Sequence, residues 1–396
     1  MTPAARLQAA IEILSLGGSE PLDRQLKTWF RGHRFAGAKD RRAIAERVYG
    51  IFRRRAHFAH RMENDDPRAL AIAALLSAGE DPESFFIGGY GPPPLTEAER
   101  NAIASEPRAM PAWVEGEYPA WLESELRRAF GARLLEEMQA FQARAPVDLR
   151  VNRLKARRED VAAALAQSAI ACTPIADLPE GLRCAPGVAL TDHPLYQSGA
   201  FEIQDASAQH SVALCDAQPG MQVLDLAAGA GGKSLALAAA MQNRGRVLAF
   251  DDKPERLKPL AERAARAGAS IITVAERRGG PLWSNGRFDL VFLDVPCSGS
   301  GTWRRQPELK WRLTPDRLTE LERVQDWLFA DAARHTRSGG KLVYATCSIL
   351  PRENQDRVET FLAAHPSFHR TREDFLASPA STGSDGFYGA FLMRGD

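Results

Sequence analysis

From Met221 onward five apolar, strand-like runs recur with helical segments between them: VLDLA, RVLAF, IITV, LVFLD and KLVYAT. Strands that alternate with helices build βαβ units, so this part of the chain predicts an α/β fold with a mostly parallel, doubly wound sheet. In open sheets of this kind ligands bind beyond the carboxyl ends of the strands, near the point where strand order reverses. The residues just after the runs are Gly229 to Lys233, Asp251, Glu276, Asp294 to Cys297 and Thr346 to Ser348. They hold most of the chemically interesting side chains of this half.

Upstream the pattern is different. Residues 40–55 place Ile44, Val48, Ile51 and Phe52 at i, i+4, i+7 and i+8, with Arg41, Arg47, Arg54 and Arg55 largely elsewhere on the wheel. That is an amphipathic helix. Residues 22–30 and 67–78 also read as helices, and GGYGPPP at 88–94 is a breaker cluster. Residues 1–143 are expected to be all-helical. At Asp148 the character changes: DLRVN reads as a strand, 157–169 as a helix and 182–190 as further strand material, a small α/β unit. A chain of 396 residues suggests two or three domains, here divided at 1–143, 144–205 and 206–396.

The net charge of +1 hides an uneven distribution. Residues 1–61 carry thirteen Lys and Arg against five Asp and Glu, and residues 62–145 seven against fifteen. A basic segment of this kind fits either a phosphate-binding arm or a solvated helix face. The opening MTPAARLQAAIEILSLGG lacks an uninterrupted apolar core and reads as an amphipathic helix, not a signal peptide. No apolar run approaches the roughly 18 residues of a membrane span. Five cysteines, Cys172, Cys184, Cys215, Cys297 and Cys347, stand in no CxxC, which predicts neither a disulfide framework nor a zinc knuckle and suits a reduced cytoplasm. His57 and His60 form an HxxH without further ligands nearby in sequence, so no metal is expected.

The first strand runs into Asp225-Leu-Ala227-Ala228-Gly229-Ala230-Gly231-Gly232-Lys233-Ser234 and a helix. Glycines there let the backbone approach a ligand and leave helix N-terminal amides free for anionic groups. Three readings compete. A dinucleotide fingerprint wants glycine at 229, 231 and 234, but 234 is Ser. A relaxed phosphate loop of an NTPase would use Lys233 and Ser234 with Asp294 on magnesium. A methyltransferase loop for S-adenosylmethionine wants an acidic residue after the next strand, where Asp251 stands.

Two cysteines separate these readings. Asp294-Val-Pro-Cys297 and Tyr344-Ala-Thr-Cys347 each come after an apolar strand and should emerge at one sheet edge, where neither serves phosphoryl transfer. Carbon 5 of a pyrimidine becomes nucleophilic when a thiolate adds at carbon 6. Loss of the carbon 5 proton and release of the thiol then profit from a second ionisable group. Asp294, Cys297 and Cys347 supply that set. Trp303 and Trp311 interleave with Arg304, Arg305 and Lys310 just downstream, a pattern that could stack on an extruded base or pack under the loop.

DVPCSGSG, ATCS with LPRENQDRVETFL after it, the GGKS loop and GTWRRQPELKW resemble the RsmB/Sun family of RNA cytosine-5 methyltransferases, as do YQSGAFEIQDASAQ and DGFYGAFL. The resemblance covers about residues 146–396. It implies a class I methyltransferase sheet using S-adenosylmethionine, with an RRM-like lobe over 144–205 and, more loosely, a NusB-like helical region over 1–143. By the same resemblance Cys347 is the nucleophile, Cys297 assists product release and Asp294 contacts the flipped base. Residues Ala227 to Lys233, Asp251, Glu276 and Asp294 would line the cofactor pocket. The loop departs from the family's common Asp-Leu-Cys-Ala-Ala-Pro-Gly-Gly-Lys-Thr at Ala227, Gly229, Ala230 and Ser234, all small, and Glu276 stands where Asp is usual. The implied substrate is ribosomal RNA of the small subunit, with transfer RNA second, acted on by a cytoplasmic monomer. The alternatives are a P-loop NTPase, a DNA cytosine-5 methyltransferase using Cys297 as nucleophile, and a non-catalytic RNA-binding assembly factor.

Overall fold

The computed structural model describes residues 1–17, 20–106, 108–280, 282–283 and 288–395. The chain divides into two compact units, Met1–Ala143 with Trp303–Leu313, and Arg144–Thr302 with Thr314–Asp396.

The first unit is helical. Pro3–Ser15, Leu22–Gly32, Ala38–Arg53, Arg55–Met62 and Pro67–Ser77 surround two apolar clusters, one around Leu70, Ile72 and Leu75, the other around Ile13, Trp29 and Ile44. Ile44, Val48 and Ile51 are buried as their spacing predicts. The helix expected over 40–55 breaks at Arg54, however, because the amides of Ala56 and His57 donate to the Glu117 carboxylate at 2.9 and 3.1 Å and start a new helix there. A buried carboxylate at a helix N-terminus satisfies orphan amides and the positive end of the helix dipole. Among the described residues no helix is long and apolar enough to cross a membrane.

From Trp303 onward the GTWRRQPELKW segment belongs to this unit. Trp303 is fully buried with its ring 6.0 Å from Phe141, Trp311 Nε1 donates to Phe52 O at 2.9 Å, and Lys310 is buried beside both indoles and the charge of Glu117. Burial pushes Glu117 up to about 7 against the pull of Lys310, and pushes Lys310 down to about 8. These residues are packing groups, so the base-stacking option for Trp303 is corrected: an indole with no exposed surface has no face to offer a base.

In the second unit, strands β1 (Val147–Val151), β2 (Cys172–Pro174), β3 (Gly181–Cys184) and β4 (Phe201–Ile203) form an antiparallel sheet in the order β2-β3-β1-β4, with the Arg158–Gln167 helix contacting β2 and β3. The strand expected over 182–190 stops at Cys184, where Pro186 and Gly187 turn the chain. The β2–β3 register sets Cys172 opposite Cys184, and the two are disulfide-bonded with Cα atoms 4.3 Å apart. The expectation of a reduced chain without a disulfide framework is thereby corrected at this pair. The spacing of 12 carries no signal, because only strand register makes these residues neighbours.

The large sheet contains β5 (Gln222–Asp225), β6 (Arg246–Ala249), β7 (Ile272–Val274), β8 (Phe288–Asp294), β9 (Thr336–Thr346), β10 (Phe368–Arg370), β11 (Phe375–Ala377) and β12 (Phe387–Arg394). Its order is β10-β12-β9-β8-β5-β6-β7, with β11 paired to β12. Strands β5 to β9 pair in parallel, and β12 runs antiparallel to β9. Apolar side chains on both faces, among them Leu224, Leu248, Val291 and Tyr344, and Val223, Val247, Phe292 and Val343, bury the sheet between helices. Strand order reverses between β5 and β8. The loops leaving those two strands therefore flank the crevice where a ligand binds.

Candidate active site

The β5 loop is held from below. Gly231 has φ +82°, and a Cβ there would lie 2.1 Å from Leu260 Cδ1, so only glycine lets the loop seat on that buried leucine. Gly232 and Lys233 then open the Gly232–Ala240 helix with amides that have no intrahelical acceptor. Gly229 N donates to Asp251 Oδ2 at 3.0 Å, and Arg256 pairs with the same oxygen at 3.2 Å. Arg263 braces the loop from the side, donating to Ala230 O at 2.6 Å while its other amino group meets Glu202 at 2.8 Å.

Sequence reasoning misses Asp225, though it stands at the head of the glycine loop. It is fully buried at the end of β5 and accepts from Ser234 Oγ at 2.5 Å, and its Oδ1 has no partner among the described residues. Burial pushes this carboxyl up to about 7, against the bond from Ser234. Lys233 ion-pairs with Asp294 at 2.6 Å. Burial pulls the lysine pKa down, but the charge and hydrogen bond of Asp294, with the nearby Cys347, leave it raised and the ammonium charged. The phosphate-loop reading loses its two main parts, since Lys233 is spent on Asp294 and Ser234 on Asp225.

Cys297 and Cys347, expected at one edge, are brought together: their sulfurs are 3.2 Å apart. Burial and the bond to Cys347 push the Cys297 thiol well above its ordinary pKa, the bond first, with the charges of Cys347 and Glu353 adding to it. Cys297 thus keeps its proton. The turns bearing them are stitched together as well, because Gly301 N donates to Cys347 O at 2.9 Å and Gly386 N to Gly301 O at 2.8 Å. That second bond explains why DGFYGAFL sits beside the cysteine motifs. Glu276 lies two residues beyond β7, exposed, with no side-chain partner among the described residues, and the structure does not tie it to the rest.

Residues 212–391 match the family described as 16S rRNA methyltransferase RsmB/F, and residues 118–191 match the ferredoxin-like domain of RsmF/B-like methyltransferases. The ribosomal RNA small subunit methyltransferase B of Serratia proteamaculans is 34% identical over 285 residues, 70% of this chain. The chain belongs to the RsmB/Sun family. Its cofactor is S-adenosylmethionine. The stretch shared with the Serratia relative spans 66% of that protein's length, as does the match to the same-named Yersinia pseudotuberculosis protein. Among solved structures, the protein PH0851 is 25% identical with a TM-score of 0.82, covering 100% of this chain and 99% of its own. A methyltransferase homologue from Pyrococcus horikoshii, also 25% identical, covers 72% of this chain and 98% of its own with a TM-score of 0.64. The residues present fit this cofactor: a loop of small residues with open amides, an unpaired buried acceptor at Asp225 and a carboxylate at the end of β6 answer to the groups it carries.

Proposed function

We propose that this family member methylates carbon 5 of a cytosine in RNA, in the small ribosomal subunit, through a covalent bond between Cys347 and carbon 6 of the base. The observation that carries the reading is the pair of sulfurs 3.2 Å apart at the ends of adjacent strands, beside the Lys233–Asp294 pair. Asp251 would hold the ribose hydroxyls and Asp225 Oδ1 the ammonium of the cofactor, over the loop Ala227 to Lys233; Glu276 would stand toward the adenine. The cofactor supplies an electrophilic methyl group when bound.

Cys347 gives its proton to solvent and its sulfur adds to carbon 6, placing electron density on carbon 5, which takes the methyl group as the bond that held it to sulfur breaks. Lys233 stays paired with Asp294 beside the reacting sulfur, and Asp294 contacts the base. Loss of the carbon 5 proton to solvent restores the double bond and expels Cys347. Cys297, protonated until that point, passes its proton to the departing sulfur 3.2 Å away and takes a new one from solvent. In this reading residues 1–143 and the lobe 144–205 grip RNA, residues 206–396 do the chemistry, and the enzyme works as a monomer in the cytoplasm, where its substrate is.

Labelled cofactor incubated with total RNA, with subsequent mapping of 5-methylcytosine, tests this. The label is expected at a cytosine of small-subunit ribosomal RNA. Methylation at another atom, or binding of ATP with Mg²⁺ and no response to S-adenosylhomocysteine, overturns it.

A further inference from the structure

Each cysteine has a serine directly after it. Ser298 Oγ and Ser348 Oγ both donate to one oxygen, Glu353 Oε2, at 2.5 Å each, although Ser298 and Glu353 are 55 residues apart. Ser298 N donates to Glu353 Oε1 at 2.8 Å, and Gln325 Nε2 reaches the same oxygen at 3.0 Å and Pro296 O at 3.1 Å. Ser300 Oγ lies 2.9 Å from Ser348 Oγ, while Asn354 Nδ2 donates to Ser348 O at 2.9 Å and Asn354 Oδ1 accepts from Thr346 Oγ1 at 2.6 Å. Glu353 is fully buried and makes no ion pair among the described residues; neutral donors alone hold it.

A buried carboxylate without a cation is costly, and only its hydrogen bonds offset the loss of water. Mere connection of two loops does not require that charge, since a neutral amide could bridge them. What the carboxylate adds is a second acceptor oxygen, Oε1, which takes Ser298 N and Gln325 Nε2 while Oε2 takes both serines, and a negative charge beside Cys297.

We propose that Glu353 is a positioning residue for product release: it clamps the two Cys-Ser turns at one spacing, so that Cys297 stays protonated and within reach of Cys347 Sγ when that sulfur leaves the methylated base. The proposal rests on the two-cysteine chemistry above. Its consequence is specific. Without the clamp, addition at carbon 6 and methyl transfer still occur on Cys347, but release slows.

The test uses the full chain with its RNA substrate, comparing Glu353→Gln, Ser298→Ala and Cys297→Ala. The readouts are single-turnover methyl transfer, steady-state turnover, and the protein–RNA species that survives denaturing electrophoresis and collapses on RNase treatment. Glu353→Gln is expected to keep S-adenosylhomocysteine affinity and the first turnover while steady-state turnover falls tenfold or more and the adduct accumulates, as in Cys297→Ala. A merely structural role would weaken cofactor binding or slow both steps without trapping an adduct. Wild-type turnover in Glu353→Gln, or an equal loss of addition and release, overturns the proposal. If Glu353→Gln fails to fold, Ser298→Ala, which removes one arm, must accumulate the adduct, and its failure to do so counts equally against the clamp. If Cys297→Ala itself traps nothing, the two-cysteine chemistry fails and the clamp falls with it; if Cys297→Ala traps adduct and Glu353→Gln does not, only the clamp fails.

Discussion

Replacing Gly231 by alanine should weaken the cofactor far more than the same change two residues earlier. An L-residue at φ +82° costs about 1–2 kcal/mol. The new Cβ would also sit 2.1 Å from Leu260 Cδ1, well inside the roughly 3.5–4 Å of a carbon–carbon contact. Leu260 is fully buried against Ala249 and Leu257 and cannot swing into solvent, so repacking adds about 1–3 kcal/mol. The two costs together come to about 2–5 kcal/mol. Displacement of the loop would relieve them, and they then appear as lost affinity, about thirtyfold to about four thousandfold. Gly229 has a positive φ as well, but its added Cβ would meet only the mobile end of Arg256 at 3.3 Å, so Gly229→Ala should cost about fivefold. Calorimetry with S-adenosylhomocysteine on both variants reads the difference, and Leu260→Ala in the Gly231→Ala background should recover part of it by opening space. Equal effects of the two glycine changes, or no relief from Leu260→Ala, would refute the reasoning.

The same geometry carries other expectations. Because burial raises Asp225 to about 7, its carboxylate is mostly protonated at pH 6 and mostly ionised at pH 8. The free protein should thus lose stability as pH rises through the carboxylate range to about 7, whereas S-adenosylhomocysteine, whose ammonium would pair with the ionised form, should bind up to about tenfold tighter at pH 8; a flat calorimetric profile, or one unchanged in Asp225→Asn, removes Asp225 from the cofactor site. Cys347→Ala should form no covalent RNA adduct while still binding cofactor and RNA, and Cys297→Ala should accumulate one on denaturing gels; the reverse pattern makes Cys297 the nucleophile. Arg53, Arg54 and Arg55 have partners within their own unit, Arg304 O, Ser77 Oγ and Asp65 respectively, whereas Arg31, Arg34 and Lys39 are exposed without an ion pair among the described residues. Alanine at Arg31, Arg34 and Lys39 should therefore flatten the salt dependence of RNA binding by about 0.7 log units per lost single-strand contact, and alanine at 53–55 should chiefly lower the melting temperature; a slope that responds only to the second set reverses the assignment.

The sheet edge that gathers the candidate site residues was legible in the sequence because strand periodicity alone puts the residues just past a strand at that edge. Asp294, Cys297, Cys347, Lys233 and Asp251 each stand at or just after an apolar run, and each lies at a carboxyl end of the large sheet. The hidden features depend on register and tertiary approach. Glu353 lies in a helical-looking stretch with nothing local to mark it as the acceptor for two distant serines. The Cys172–Cys184 bridge depends on which residues face each other across β2 and β3. Trp303 and Lys310 misled for a related reason: a basic, aromatic segment looks like a nucleic-acid contact until a buried Glu117 is found beside it. Even the break at Arg54 comes from that same carboxylate, reaching the helix from 60 residues away.

Two thiols held 3.2 Å apart also form a redox liability. Hydrogen peroxide can oxidise the pair to a disulfide, both thiol protons leaving in two molecules of water, and a single event then removes the proposed nucleophile and the proposed proton donor together. The damage would be reversible, since an added dithiol returns both sulfurs, and it would leave the glycine loop and its carboxylates untouched. Peroxide-treated enzyme should therefore stop methylating RNA while still binding S-adenosylhomocysteine, and dithiothreitol should restart it. An arrangement suited to passing one proton between sulfurs would thus make methylation answer to the oxidation state of its surroundings.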